Sequence, residues 1–396
     1  MKHFVPFILL SSLILSGCGG AQKNSSQLPV IDFTAQYPKK DIVLQEIADV
    51  EYISLNGQDA PLIGSVSIGY IADDRFILCD YQNGDIFVLE HNGTILSHFN
   101  LKGNSGKEYT RITYIAYDAR KREIYILDTF GPNGILVYTE TGTFLRNFPV
   151  FSRRNLYEIY DFDDKTLFAY FKPSRPNPDS INHTSPYVFL SKEDGKIESR
   201  LPLHFPNRLS TSRPLDLGNG QYGSIQIASI EYRKYGDEYL IADLSADTLY
   251  TLSKKRQLTP ILARTPSVHA QDPFVAWSLE IKTDAFISIE ATELDFEMLK
   301  QQALKNQPTG GFKSQNYLYY FKKHEIIVPK FINTDWPSKE ARIGINMGAK
   351  NMSVGIYQAE TLVEALEKGE LSGKLKEVAK TLDYEDNPVL MVMRYK

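Results

Sequence analysis

The chain has 396 residues, 42% hydrophobic and 23% charged, too apolar for a disordered chain and too polar for a multi-span membrane protein. Lys+Arg 44 against Asp+Glu 48 leaves a formal charge of −4, which argues against nucleic acid as a partner, because that requires clustered positive charge to displace phosphate counterions. Two cysteines exclude a disulfide framework and a multi-cysteine zinc or iron–sulfur centre.

Residues 1–17 read as an export signal. Lys2 supplies the positive start, and the apolar stretch 4–15 is interrupted only by Pro6, Ser11 and Ser12. That stretch is shorter than the roughly 20 residues a helix needs to span hydrocarbon. It ends in Leu15-Ser16-Gly17-Cys18, which looks like a lipobox: the small Ser16 and Gly17 enter a signal peptidase, and the Cys18 thiolate takes the diacylglycerol. Acyl chains on one residue, palmitate among them, exceed the two-signal threshold for stable anchoring. Cys79 is then the one free thiol, and its apolar setting Phe76-Ile77-Leu78 reads as buried structure. Residues 18–40 read as the acylated cysteine and a flexible tether, since 19–28 is small and polar with no apolar period.

From residue 41 to 396 short β-rich runs alternate with Gly, Asp and Asn turns, the pattern of an all-β repeat protein. Turn glycines recur at Gly93, Gly142 and Gly195, about 50 residues apart. Unit one parses as strands 65–72, 75–80, 85–90 and 94–100, and unit two as 111–117, 123–128, 135–138 and 143–150. Unit three is 157–163, 166–171, 187–191 and 196–202; unit four is 224–232, 238–243, 248–253 and 257–263. Unit five is 274–279, 285–291, 317–322 and 325–332. A sixth offers only 342–346, 352–357 and 389–394, while the early run 50–55 has no unit of its own. Pairing these two chain ends closes a ring and covers both sheet edges. The expected fold is a six-bladed β-propeller whose N-terminal strand completes the last blade.

These residues also carry a resemblance. The lipobox, the blade core Gly84-Asp-Ile-Phe-Val-Leu-Glu-His-Asn-Gly93, the link Gly103-Asn-Ser-Gly-Lys-Glu-Tyr-Thr-Arg-Ile112 and the closing run Asp383-Tyr-Glu-Asp-Asn-Pro-Val-Leu-Met-Val-Met393 resemble those of six-bladed propeller lipoproteins of Bacteroides and relatives. That group is related in fold to the NHL and TolB-like propellers. Ser105 and Lys107 depart from its G-x-G-x-G-E-Y/F-x-x-I link pattern. The resemblance implies the fold and an outer-membrane address, and it brings no catalytic residue with it. Surface-exported members carry an acidic cluster after the cysteine; here Lys23 is the one charge in 19–28, so the periplasmic side is expected.

In a propeller, the loops between second and third strands and the links between blades emerge on one face. Nearly all added length falls there: 172–186, 292–316 and 358–388 between strands, and 103–110, 151–156, 204–223 and 333–341 between blades. Loops on a rigid scaffold are where recognition usually sits. Apolar spacing predicts a helix over 294–305 and two more within 359–382, broken near 369–373. These are expected to cap the channel on the loop-rich face. The candidate ligand-binding residues are Tyr109, Arg111, Arg153, Arg154, Arg175, Arg213, Tyr222 and Trp336, because guanidinium forks favour carboxylate, sulfate or phosphate and aromatic rings stack on sugars or peptides. No cofactor and no metal site is expected: the seven histidines show no ligand spacing, and no G-x-S-x-G elbow or P-loop is present. The expectation is a monomer, membrane-attached through its lipid, that binds an envelope protein or an anionic glycan or peptide without catalysis. A glycan lyase or hydrolase on the same face, and a structural subunit docking through the helices, remain alternatives.

Overall fold

The computed structural model describes residues 28–57, 60–150, 156–171, 185–205, 207–209, 212–218, 220–227, 232–270, 273–305, 307, 312–344 and 346–396. They form six antiparallel blades and a separate two-stranded ribbon. Blades 1 to 3 are four-stranded in chain order, from Ser67–Ile71 to Ile95–Asn100, from Tyr114–Asp118 to Phe144–Phe148, and from Leu156–Asp161 to Ile197–Arg200. Each buries an apolar second strand, such as Phe76–Cys79, between its neighbours, and aliphatic and aromatic side chains fill the space between blades.

The ring closes as the lone early strand requires. Ala48–Ser54 pairs antiparallel with Val389–Tyr395, placing Tyr52 opposite Met391. The ordered body nevertheless begins earlier than the expected boundary at residue 41. Val30–Asp32 lies parallel to the outer strand Leu258–Thr265 of blade 4, and Lys39–Val43 lies parallel to the outer strand Glu325–Ile332 of blade 5. Both blades thereby gain a fifth strand, and residues 29–40 are not tether. The cause is edge protection: each outer strand otherwise exposes a row of N–H and C=O groups, and Ile31 is fully buried in the process. The short helix α1 (Leu44–Ile47) then carries the chain to blade 6, so one N-terminal run ties three consecutive blades.

Two expected strands differ. The expected strand 224–232 of blade 4 is not one strand: Gln221–Gln226 pairs with Ser212–Gly218 as the ribbon, and the inner strand of blade 4 is Tyr232–Tyr235. Gly218 and Gly220, both at positive φ, supply the tight turn that makes the ribbon possible. Among the described residues blade 6 has three strands, Met352–Tyr357, Val389–Tyr395 and Ala48–Ser54; the described part of the expected inner strand 342–346 is not a strand. Gly344 at φ +69 turns the chain out of the sheet, and Gly348 at φ +128 continues the diversion.

The diverted chain crosses the axis. Ile71 of blade 1 donates its N–H to the Met347 carbonyl (2.8 Å), and Gly236, in the hairpin of blade 4, donates to the Gly348 carbonyl (2.7 Å). Blades 1 and 4 stand opposite each other in a ring of six, so 346–348 bolts across the short-hairpin end.

The helices fall where predicted: α2 (Phe296–Leu304), α3 (Ala359–Glu367) and α4 (Gly373–Ala379). Asp295 caps α2, accepting from Met298 N–H at 2.9 Å. Leu299 of α2 packs on Leu215 of the ribbon. Helices α3 and α4 do not cap the axis; Leu362, Leu371 and Leu375 bury against Val50, Trp336 and Met391 at the junction of blades 5 and 6. No helix among the described residues is long and apolar enough to cross a membrane.

Candidate functional site

Beside blade 6, which has three strands among the described residues, a cavity of about 1070 Å³ opens toward blade 5. Its walls are inner residues of blade 5 (Glu280, Glu290, Asn316), the link 333–344, residues 354–357 of blade 6, and the start of blade 1 at 66–68. Volumes of this size accommodate a drug-sized ligand or a few residues of polymer.

The aromatic wall is held firmly. Asn333 opens the link; its amide oxygen accepts from Gln45 (2.7 Å) and its Nδ2 meets the Tyr52 hydroxyl at 2.9 Å. The turn that follows brings Trp336 N–H to the Asn333 carbonyl (3.0 Å). The Trp336 ring lies 5.6 Å from that of Tyr357, its Nε1 donates to Glu370 Oε2 at 3.2 Å, and the Lys339 ammonium sits 4.1 Å over its face. Glu370 lies between α3 and α4, so the helical insertion fixes the indole from behind.

The charged wall is less committed. Glu280 accepts from the Ser288 hydroxyl at 2.9 Å. Burial pushes its carboxyl up and the neighbouring Glu290 adds to this, while the Ser288 bond, Arg233 and Arg342 pull the other way; the net shift is upward. Glu290 and Arg342 line the same space, and neither enters a hydrogen bond or ion pair between side chains among the described residues. Mixed charge beside an aromatic wall can bind a ligand bearing both polar and apolar faces. No group of three or more His, Cys, Asp or Glu side chains gathers as a metal site among the described residues.

Of the residues read from the sequence, the structure brings Trp336 to the cavity. Tyr109 is a correction: it is fully buried, donates to the Gly84 carbonyl (2.6 Å) and accepts from Leu101 N–H (2.9 Å), so it braces the first blade link and meets no ligand. Tyr109→Phe is expected to cost about 1–2 kcal/mol, through the two main-chain groups it orphans, and to leave ligand binding unchanged; urea unfolding and a binding titration read the two separately. Arg111 is on blade 2, its guanidinium 5.2 Å over the exposed Phe130 ring. Tyr222 projects from the ribbon, 73% exposed, and Arg213 belongs to the opposite ribbon strand. Neither Arg111 nor Tyr222 lines the cavity. Cys18, Arg153, Arg154 and Arg175 lie outside the described residues.

Sequence reasoning missed Glu280, Glu290, Lys339, Arg342 and Tyr357. A signal existed for the glutamates: they stand among apolar neighbours, Leu279 and Ile281 beside Glu280 and Ile289 and Ala291 beside Glu290, in the strands Phe274–Lys282 and Phe286–Leu294. An ionised group on the inner strands of a blade faces the axis or a cavity, because the blade surfaces are packed.

A six-bladed propeller with a side cavity at its incomplete blade is the class that fold and site define. The chain belongs to the family described as a domain of unknown function, DUF4934, which matches residues 28–394. Among solved structures it is similar to a protein from Bacteroides fragilis described as exported, with 16% identity and a TM-score of 0.61 over 93% of this chain and 99% of that one. A DUF4221 family member from Bacteroides vulgatus matches at 10% identity and TM-score 0.47, covering 88% of this chain and 97% of the other. A virginiamycin B lyase from Staphylococcus aureus matches at 9% identity and TM-score 0.33, covering 70% and 98%. No curated protein matches the sequence. At these identities the likeness concerns the fold alone.

Proposed function

We propose that the protein is a lipid-anchored, monomeric propeller of the cell envelope, of the NHL and TolB-like group, which binds a ligand in the cavity between blades 5 and 6 without chemistry of its own. The observation that carries the reading is the cavity itself: about 1070 Å³, an aromatic wall of Trp336 and Tyr357, and Glu290 and Arg342, which form no side-chain ion pair among the described residues. Its charges are of both signs, so the favoured ligand is a peptide or glycan carrying more than a simple anion. The lipobox at Cys18 and the exported relative support attachment to the outer membrane, facing the periplasm.

The test uses the full chain. Wild-type protein and a Glu290→Ala/Arg342→Ala variant are each used to capture material from solubilised native envelope. The variant is expected to lose about tenfold or more of the captured peptide or glycan. Equal capture by both proteins removes the cavity from the account. In parallel, Cys18→Ala is expected to move the protein from the membrane fraction to the soluble one; unchanged fractionation ends the anchoring proposal.

One observation favours a second reading. Glu280 and Glu290 line one cavity, and burial, with the neighbouring Glu290 adding to it, raises the Glu280 carboxyl; two carboxyl groups facing one space are what glycan hydrolysis employs. Turnover of an envelope oligosaccharide that disappears in Glu280→Gln supports that reading; binding without turnover supports the first.

A further inference from the structure

We propose that the short-hairpin ends of blades 4 and 5 rest on an anionic phospholipid surface through Lys254, Lys255, Lys322 and Lys323, turning the loop-rich face away from the membrane. This rests on the lipid-anchored reading above and gives it a second attachment signal and an orientation.

The surface follows from the topology. In blade 4, residues 253–257 join the third strand Thr248–Leu252 to the fourth; in blade 5, residues 321–324 join Lys313–Tyr320 to Glu325–Ile332. Both turns lie where the first and second strands also meet. Lys254 forms an ion pair with Asp237 of the first hairpin of blade 4, and Phe321 donates its N–H to the Ala285 carbonyl in the first hairpin of blade 5 at 3.0 Å. The two blades touch at this end, since the Lys282 ammonium lies 4.0 Å from the Tyr235 ring centroid and 5.8 Å from that of Phe321. Positive φ at Arg256 and His324 closes the turns, and Lys254, Lys255, Lys322 and Lys323 are exposed on them. The nearby carboxylates are largely engaged: Asp237 by Lys254, Asp284 by Lys350 at 2.9 Å, and Glu325 by Lys40. Lys255, Lys322 and Lys323 enter no ion pair among the described residues. The matching turns of blades 1 to 3, His91-Asn92, Glu140-Thr141 and Glu193-Asp194, carry no adjacent lysines.

The N-terminal run enters beside these two basic turns. Val30–Asp32 lies parallel to Leu258–Thr265, and Ala263 donates its N–H to the Pro29 carbonyl at 2.8 Å, so the chain joins blade 4 from the hairpin side. From Cys18 to Pro29 there are 29 − 18 = 11 residue steps, a reach of at most roughly 40 Å. The 263 − 258 = 5 steps down the outer strand use about 17 Å of that reach. An acylated Cys18 can therefore lie level with the hairpin lysines or beyond them. Each lysine near an anionic surface raises partitioning about fivefold, so four supply several hundredfold at low salt. A Debye length near 8 Å at about 0.15 M salt weakens this, so the acyl chains remain the main anchor and the lysines set the tilt.

The probes are phosphatidylcholine vesicles with and without about one-third phosphatidylglycerol. Cys18→Ala protein, which has no acyl chain to contribute, is expected to sediment with the anionic vesicles at low salt and not with the neutral ones. Adding Lys254→Gln, Lys255→Gln, Lys322→Gln and Lys323→Gln together is expected to weaken that binding about a hundredfold. Lys300→Gln/Lys305→Gln, at α2 on the loop-rich face, is the control and is expected to bind as its parent does. Orientation is read on the acylated protein by acetylating its lysines on each vesicle and locating the label by mass spectrometry. The four hairpin lysines are expected to lose reactivity about fivefold on anionic vesicles, while Lys300 and Lys305 keep theirs. Equal binding by the fourfold variant and its parent overturns the proposal, as does equal binding to both vesicles or protection of Lys300 and Lys305 in place of the hairpins. If Cys18→Ala leaves native fractionation unchanged, the anchoring reading falls, and sedimentation with anionic vesicles still decides this one.

Discussion

Replacing Lys192 with methionine is expected to destabilise the protein by roughly 3–5 kcal/mol, the scale for breaking a buried ion pair from one side. Lys192 follows the third strand of blade 3 and is 4% exposed. Its ammonium donates to Asp118 of blade 2 at 2.6 Å and to Asp161 of blade 3. Arg120 adds a bond to Asp161 at 3.0 Å and Lys234 of blade 4 approaches within 3.7 Å, so three blades meet on two carboxylates. Without Lys192 the fully buried Asp118 loses its closest counter-charge. The comparison is Asp118→Asn/Asp161→Asn/Lys192→Met, which removes both signs together and is expected to recover much of the loss. Urea unfolding of the three proteins measures it.

The same cluster sets a pH dependence. Burial pushes the Asp118 carboxyl up, but Lys192 and Arg120 outweigh it and hold the group below the usual carboxylate range. With the folded value below the unfolded one, near 3.9, its contribution is complete above that pH and is lost as pH falls through the folded value. For Asp161 burial wins and the carboxyl is raised, so its contribution runs oppositely, present at low pH and lost as pH rises through the folded value. In Lys192→Met both carboxyls move up, so the gap between variant and wild type is expected to narrow on acidification.

Gly348→Val is expected to cost about 3–5 kcal/mol by combining two penalties. The residue sits at φ +128, a conformation essentially reserved for glycine, and a Cβ there lies 2.5 Å from the Ile71 carbonyl oxygen and 2.9 Å from the Tyr70 ring. The carbonyl belongs to the inner strand of blade 1 and has no room to yield. Gly106→Ala is the control: nothing lies within 4 Å of a Cβ at that site, and its stability is expected to stay within about 0.5 kcal/mol of wild type. Thermal melts of the pair decide the matter. A tolerated Gly348→Val means that 346–348 does not bolt the axis.

Most blade strands were legible because alternation and turn glycines act locally. The expected strand 85–90 is observed as Asp85–Leu89, and 187–191 as Tyr187–Ser191. Closure was legible for a different reason: 50–55 had no unit of its own, and an unpaired strand must find an edge. Val30–Asp32 escaped because three residues carry no measurable period and their partner is more than 200 residues away. The ribbon was misread since its alternation is the same as a blade strand's; only Leu215 and Leu217, packed toward α2, betray a second layer. The cavity was the least legible feature. It lies beside 342–344, which are not a strand, and beside the positive φ of Gly344 and Gly348, which no motif marks.

The protein holds two tryptophans, Trp277 buried on the inner strand of blade 5 and Trp336 on the cavity wall. Trp277→Phe therefore leaves a single reporter at the site. The most direct measurement titrates that protein with the ligand recovered from native envelope, following indole emission and calorimetric heat together. Cavity binding predicts a saturable change in Trp336 emission with the same midpoint as the heat. Saturable heat with unchanged emission, at an affinity that Glu290→Ala/Arg342→Ala does not alter, would place the ligand elsewhere and contradict the account.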